Sequence, residues 1–117
     1  MVARSERPHC LRMNTSELKP GLKEKAYENA LVIELRKRGH IVEQQRQFDV
    51  IYDGVVVDKM VPDLLVDGKV IVAPKCVTDF TETHTAQMIG YLAITGLRVA
   101  LLLNFKESRL RWKRLVR

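Results

Sequence analysis

The stretch "LRVALLLNF", residues 97–105, constrains the fold most. It is an almost unbroken apolar run without the polar alternation of a half-buried strand. A strand of this kind is buried on both faces, so it needs a layer packed on each side. The chain has 117 residues, enough for one domain and not two. Its other segments must therefore supply those layers. With 46% hydrophobic residues, it has the material for a core.

Two Asp-Gly pairs, Asp53-Gly54 and Asp67-Gly68, punctuate a β-branched stretch upstream. Such pairs are strong hairpin signals, because both positions accept positive φ. They predict three strands, near 44–52, 55–66 and 69–76, with a bend at Pro62. Before them, "GLKEKAYENALVIELRKRG" reads as a helix opening at Pro20-Gly21 and closing at Gly39, with Arg36, Lys37 and Arg38 serving its C-terminus. Glu24, Tyr27, Glu28, Leu31 and Leu35 share one face by 3.6-residue periodicity. Ala26, Ala30 and Ile33 form a second apolar face, which predicts a sandwiched helix. "TETHTAQMIGYLAITG" reads as a second helix ended by Gly96. "SRLRWKRLVR" reads as a last strand, with Leu110 and Trp112 on one side and Arg109, Arg111 and Lys113 on the other; Trp112 is a stacking platform for a base or, as the plainer and preferred reading, part of the core. The predicted class is α/β, a single domain (residues 14–117) with a mixed sheet and helices on it, behind a basic, flexible tail at residues 1–13.

No apolar run approaches the roughly 20 residues of a membrane span, so no membrane partner is expected. The opening "MVARSERPHCLRMN" lacks the apolar core of a secretory signal. Met13 is a conceivable alternative start. Two cysteines, Cys10 and Cys76, make no disulfide framework, so the expected compartment is the reducing cytoplasm. Cys76 reads as a small buried hydrophobe. His40 has no identifiable partner, and His9 and Cys10 are too isolated for a metal site. The net charge of +6 favours an anionic partner, nucleic acid first.

The chemistry concentrates around the second Asp-Gly turn. With that turn at 67–68, Asp63 falls opposite about position 72. Residue 73 then lies close by, and Lys75 lies further along the same face. Carboxylates near a lysine suit phosphodiester hydrolysis, in which they hold Mg²⁺ or Mn²⁺ and the ammonium meets developing charge. The plainer alternative is a carboxylate at a strand bend and a lysine at an exposed strand end. Glu24 and Glu28 lie one turn apart on the first helix, either as ligands or as ordinary acids near a helix start. His84, Gln87 and Tyr91 line one stripe of the second helix, as site residues or as its polar flank. Arg109, Arg111 and Lys113 suit phosphate contacts or the protection of an edge strand.

Gly21, Glu24 and Tyr27 spell a GxxExxY signature. Pro62-Asp63, Lys75, and Gln87 with Tyr91 follow in order, ahead of "GLRVALLLNF". From about residue 18 to 116 the chain resembles the small bacterial GxxExxY family, a minimal branch of the PD-(D/E)XK nuclease superfamily. The resemblance implies a restriction-endonuclease-like core, a sheet flanked by two helices with the site at one end. It implies Asp63 and an acid at 73 as Mg²⁺ or Mn²⁺ ligands, with Glu24 or Glu28 assisting. Lys75 would be the catalytic lysine, and Gln87 and Tyr91 accessory. Lys75, His84, Arg109, Arg111 and Lys113 are the candidate contacts to nucleic acid. Small members of such folds often pair, so a homodimer is open.

The sequence departs from this pattern at Ala73-Pro74-Lys75, where an alanine stands in place of the acid. Alanine cannot ligate a metal, and Pro74 removes one N–H from the strand. The change fits a natural pseudo-nuclease, a carboxylate supplied from elsewhere (Asp58, Asp79, Glu82 or a first-helix Glu), or a designed knockout. The double change looks more like drift than design. The expectation is a nuclease-like protein with a degenerate site and weak or no activity. The alternative is a non-catalytic nucleic-acid-binding or protein-interaction module on the same scaffold.

Overall fold

The computed structural model describes residues 24–107 and 109–117. The expected basic tail, the helix opening at Pro20-Gly21, His9 and Cys10 all lie outside the described residues. Helix α1 (Glu24–Lys37) carries Glu24 in its first turn and Arg36 and Lys37 in its last, matching the helix dipole. Gly39, at φ +89°, turns the chain so that the His40 N–H returns to the Leu35 carbonyl at 3.1 Å. Strands β1 (Val42–Gln44), β2 (Phe48–Tyr52), β3 (Val55–Met60), β4 (Leu64–Val66) and β5 (Val70–Lys75) follow. Helix α2 (Glu82–Thr95) then crosses over to β6 (Val99–Asn104), and β7 (Arg111–Val116) closes the order.

The central sheet runs β1-β4-β5-β6-β7. Only β5 and β6 pair in parallel, and the other neighbours are antiparallel. Every residue of β6 is buried, as its sequence demands. On one face Leu64, Val66, Val72, Leu101 and Leu103 pack with Tyr27, Leu31 and Leu35 of α1. Leu65, Ile71, Ala73, Ala100 and Leu102 pack on the other with Met88 and Leu92 of α2. The alternation along β5 and β6 thus feeds both layers. The mixed sheet with its two helices is the predicted architecture, and no helix among the described residues is long and apolar enough to cross a membrane.

Several expectations are corrected. The three predicted strands do not lie side by side in one sheet. The predicted first strand breaks at Gln45 and the second at Pro62, so β2 and β3 leave the sheet as a separate ribbon turned at Asp53-Gly54. Among the described residues no second layer sandwiches helix α1, and Ile33 is 58% exposed. Trp112 is 40% exposed rather than in the core, since it sits on the last strand of the sheet. Cys76 is half-buried against the α1 layer. Arg36, while standing in the last turn of the helix, also donates to the Val42 carbonyl at 2.9 Å and so joins the helix to β1. His40 does have a partner, because its Nδ1 lies 2.7 Å from Asp67 Oδ2.

Candidate active site

The β4–β5 hairpin sets the site. Asp67 and Gly68 both take positive φ, and the Lys69 N–H closes the turn on the Val66 carbonyl at 3.0 Å. The register pairs Leu64 with Val72, one step away from the expected alignment. Continued by one residue, it sets Asp63 opposite Ala73. Parity then places Asp63, Ala73 and Lys75 on the α2 face, the side on which Leu65 and Ile71 are packed. Lys75 pairs with Asn104 of β6 at this end of the sheet.

Pro74 is buried within β5, and alternation explains how a proline is tolerated. The Lys75 carbonyl accepts from the Phe105 N–H, so the Lys75 peptide faces β6. The neighbouring Pro74 faces the β4 side, where β4 has already ended at Leu64. The missing N–H therefore costs no ladder bond, and the Pro74 carbonyl points toward the Asp63 side.

Two of the acidic candidates, Glu28 and Asp63, come together through one side chain, Gln45. Glu28 is buried at the sheet end of α1. Gln44 Nε2 donates to it at 2.5 Å, Lys25 Nζ at 3.0 Å and Gln45 Nε2 at 3.2 Å. Burial alone would raise its carboxyl pKa. The donors outweigh burial and hold it below the ordinary value. Gln45 Nε2 also stands 3.5 Å from Asp63 Oδ1, so one amide spans the two carboxylates. The Asp63 carboxyl is pushed up, first by burial, then by the Glu28 charge and, more weakly, by Glu24. Lys75 and Gln45 act in the opposite sense. Tyr91 is pushed up by burial and, second, by the Asp63 charge. Glu24 is exposed and acts on Asp63 only through its charge.

The other candidates are spent elsewhere or stand apart. His84 Nδ1 accepts from the Thr81 N–H at 3.0 Å, and its own N–H donates to Thr81 Oγ1, forming the capping box of α2. Gln87 is exposed one turn before Tyr91. Arg111 pairs with Asp79 at 3.1 Å and Glu107 at 3.2 Å. Lys113 donates to Thr85, and Arg109 is exposed. Asp58 covers the Lys59 N–H at 2.7 Å, and Glu82 is exposed in the first turn of α2. Of the carboxylates named as substitutes for the acid at 73, Glu28 alone is tied to Asp63. Sequence reasoning missed Gln44 and Gln45. Their signal was the run "EQQRQ", polar beyond the needs of a strand end.

The arrangement does not fit a divalent ion as it stands. Two carboxylates meet across an amide nitrogen, which cannot ligate, and a methyl group occupies the third position. Among the described residues no group of three or more His, Cys, Asp or Glu side chains could hold a metal.

Residues 9–115 match the model of the PD-(D/E)XK nuclease superfamily, and the chain belongs to that superfamily. No curated protein matches the sequence. Among solved structures, the fold is similar to that of SSO0001, with a TM-score of 0.63 and 16% identity over 79% of this chain and 50% of the other. It is likewise similar to an alkaline exonuclease (LHK-Exo) from Laribacter hongkongensis, with a TM-score of 0.61 and 16% identity over 80% of this chain and 55% of the exonuclease. The chain thus spans about half the length of these proteins. At this identity the likeness concerns the fold.

Proposed function

We propose that the chain is a nuclease-like protein of the GxxExxY type whose phosphodiester-cleaving site is degenerate, with weak or no hydrolysis and retained affinity for nucleic acid. Nucleases of this superfamily generally use divalent metals, and in this reading the Mg²⁺ or Mn²⁺ site is lost or weakened. One observation carries it. Ala73 lies across from Asp63 at 2% exposure, so apolar packing fills the place of the expected acid. Asp63 and Glu28 are then the remnant of the acidic set, with Glu24 a peripheral charge. Lys75 becomes a cation available to phosphate. Tyr91 and Gln87 flank the site, and Arg109, Arg111, Lys113 and His84 extend the contact surface along β7 and the start of α2. The test is plasmid and oligonucleotide cleavage in Mn²⁺ by the wild type, Ala73→Glu and Asp63→Ala. The expected result is background cleavage by the wild type, a gain in Ala73→Glu and none in Asp63→Ala. Efficient wild-type cleavage that Asp63→Ala abolishes would defeat the degenerate reading.

A second reading, a protein-interaction module on the same scaffold, has its own observation. The β2–β3 ribbon displays Ile51, Tyr52, Val55, Val56 and Val57 to solvent. Contiguous exposed apolar surface of this kind marks interaction sites.

A further inference from the structure

Gln45 holds a backbone conformation that its side chain does not favour. Its φ is +59°, in the left-handed region where a β-carbon is strained. Asp53 and Asp67 share this region, but each opens an Asp-Gly turn that requires it. Gln45 sits in neither hairpin turn. It is the residue at which β1 ends and the chain departs for the ribbon.

Two contacts hold it there, and both lead to the acidic pair. Its backbone N–H donates to the Asp63 carbonyl at 3.0 Å. Its side-chain amide reaches Glu28 at 3.2 Å and Asp63 at 3.5 Å. An amide N–H₂ carries partial positive charge and two donors. Between two carboxylates it does part of what a cation would do, easing the repulsion of Asp63 by Glu28. Gln44 and Lys25 complete the cover on Glu28.

We propose that Gln45 is an internal competitor of a divalent cation, its amide occupying the position from which an ion would bridge Glu28 and Asp63. This rests on the reading of that pair as the remnant of a metal site. The sign of one effect separates it from the alternative. If the amide competes, removing it strengthens metal binding. If Gln45 merely orients the carboxylates for a metal, removing it weakens binding.

The experiment uses the full chain and Mn²⁺ alone. Free Mn²⁺ is titrated by electron paramagnetic resonance, and thermal unfolding is followed with and without the ion. Gln45→Gly deletes the amide while accepting positive φ without strain. Gln45→Asn tolerates the same backbone and keeps an amide one methylene shorter. Gln45→Gly should bind Mn²⁺ about three- to tenfold more tightly than the wild type, the worth of one net hydrogen bond. Its Tm should rise more on addition of the ion, with Gln45→Asn intermediate. A Gln45→Gly chain that folds only with Mn²⁺ supports the same conclusion. Equal or weaker binding by Gln45→Gly overturns it, and if that variant does not fold at all, equal or weaker binding by Gln45→Asn does so. Vigorous wild-type cleavage would overturn the degenerate-site reading separately and leave the Gln45 comparison to be decided by its sign.

Discussion

Asp63 stands one residue beyond the Leu64–Val72 pair of the β4–β5 hairpin, and Ala73, the next residue of β5, packs against Met88 and Leu92. The gap in the acidic set is therefore a filled position in a core, with no open notch. Restoring the acid must cost stability. Ala73→Glu introduces a longer, charged side chain into a well-packed site. Overpacking alone costs about 1–3 kcal/mol, and an unpaired charge adds to that. Thermal unfolding should show a clear loss of Tm in metal-free buffer. Mn²⁺ should recover part of it, because an ion that binds only the folded state stabilises by mass action. A variant as stable as the wild type without metal would contradict the packing described for Ala73.

Asp63 itself should destabilise the fold at neutral pH. Its carboxyl is raised above the ordinary value of 3.8, first by burial and then by Glu28. A carboxyl raised in the folded state favours folding below its unfolded pKa. That contribution is lost as pH rises through the folded value, leaving the ionised group as a burden. Asp63→Asn removes the charge and keeps the shape. Its Tm at pH 7 should exceed that of the wild type, and the difference should shrink as the pH falls towards 3.8. A lower Tm for Asp63→Asn at pH 7 would show that the Asp63 charge is compensated beyond Lys75 and Gln45.

Asp63 and Ala73 sit among elements that differ in how legible they were in the sequence. The apolar run of β6, the two Asp-Gly turns and the buried stripe Tyr27-Glu28-Leu31-Leu35 are patterns in which local chemistry and burial agree, and they form as read. Glu28 and Asp63 share the Gln45 amide because the helix and hairpin that carry them formed. Pro62 announced a bend, but the break at Gln45 and the departure of the ribbon from the sheet were not visible, because β-branched residues fill β2 and β3 whether or not the ribbon stays in the sheet. Gln45 escaped notice for a related reason. The run "EQQRQ" marked it as polar, but its role depends on a left-handed backbone and on carboxylates 17 and 18 residues away, which that run does not specify.

The bond between His40 and Asp67 predicts an acid-sensitive corner remote from the site. Asp67 accepts from the Ile41 N–H at 2.8 Å as well, so one carboxylate fastens the end of α1 to the β4–β5 turn. The His40 bond, followed by that of Ile41, holds its carboxyl below the ordinary value. A depressed carboxyl contributes stability above its unfolded pKa and loses it as pH falls through the folded value. Asp67→Asn accepts the same positive φ but lacks the charge. Because both side chains keep partial access to solvent, the loss should be small, about 0.5–1 kcal/mol at pH 7, and it should fade in acid. Urea unfolding of both proteins at pH 7 and pH 3 checks this. A difference that persists unchanged at pH 3 would mean the charge on Asp67 is not its source.

The ribbon should open long before the sheet. A two-stranded hairpin is marginal on its own in water. β2 is held against α2 through Phe48, while Val55–Lys59 of β3 are all exposed, and Tyr52 near the tip is 75% exposed. β5 and β6, in contrast, are buried between two helices. Native-state hydrogen exchange should therefore find amides of β2 and β3 exchanging through local opening, and those of Val70–Val72 and Val99–Leu103 only through global unfolding. Replacing Val56 with threonine should change global stability by no more than about 0.5 kcal/mol, as for other surface positions. Ribbon amides protected as strongly as those of β6 in dilute solution would mean that something covers Ile51, Tyr52 and Val55–Val57. Loss of that protection on further dilution would identify the cover as a second copy of the chain.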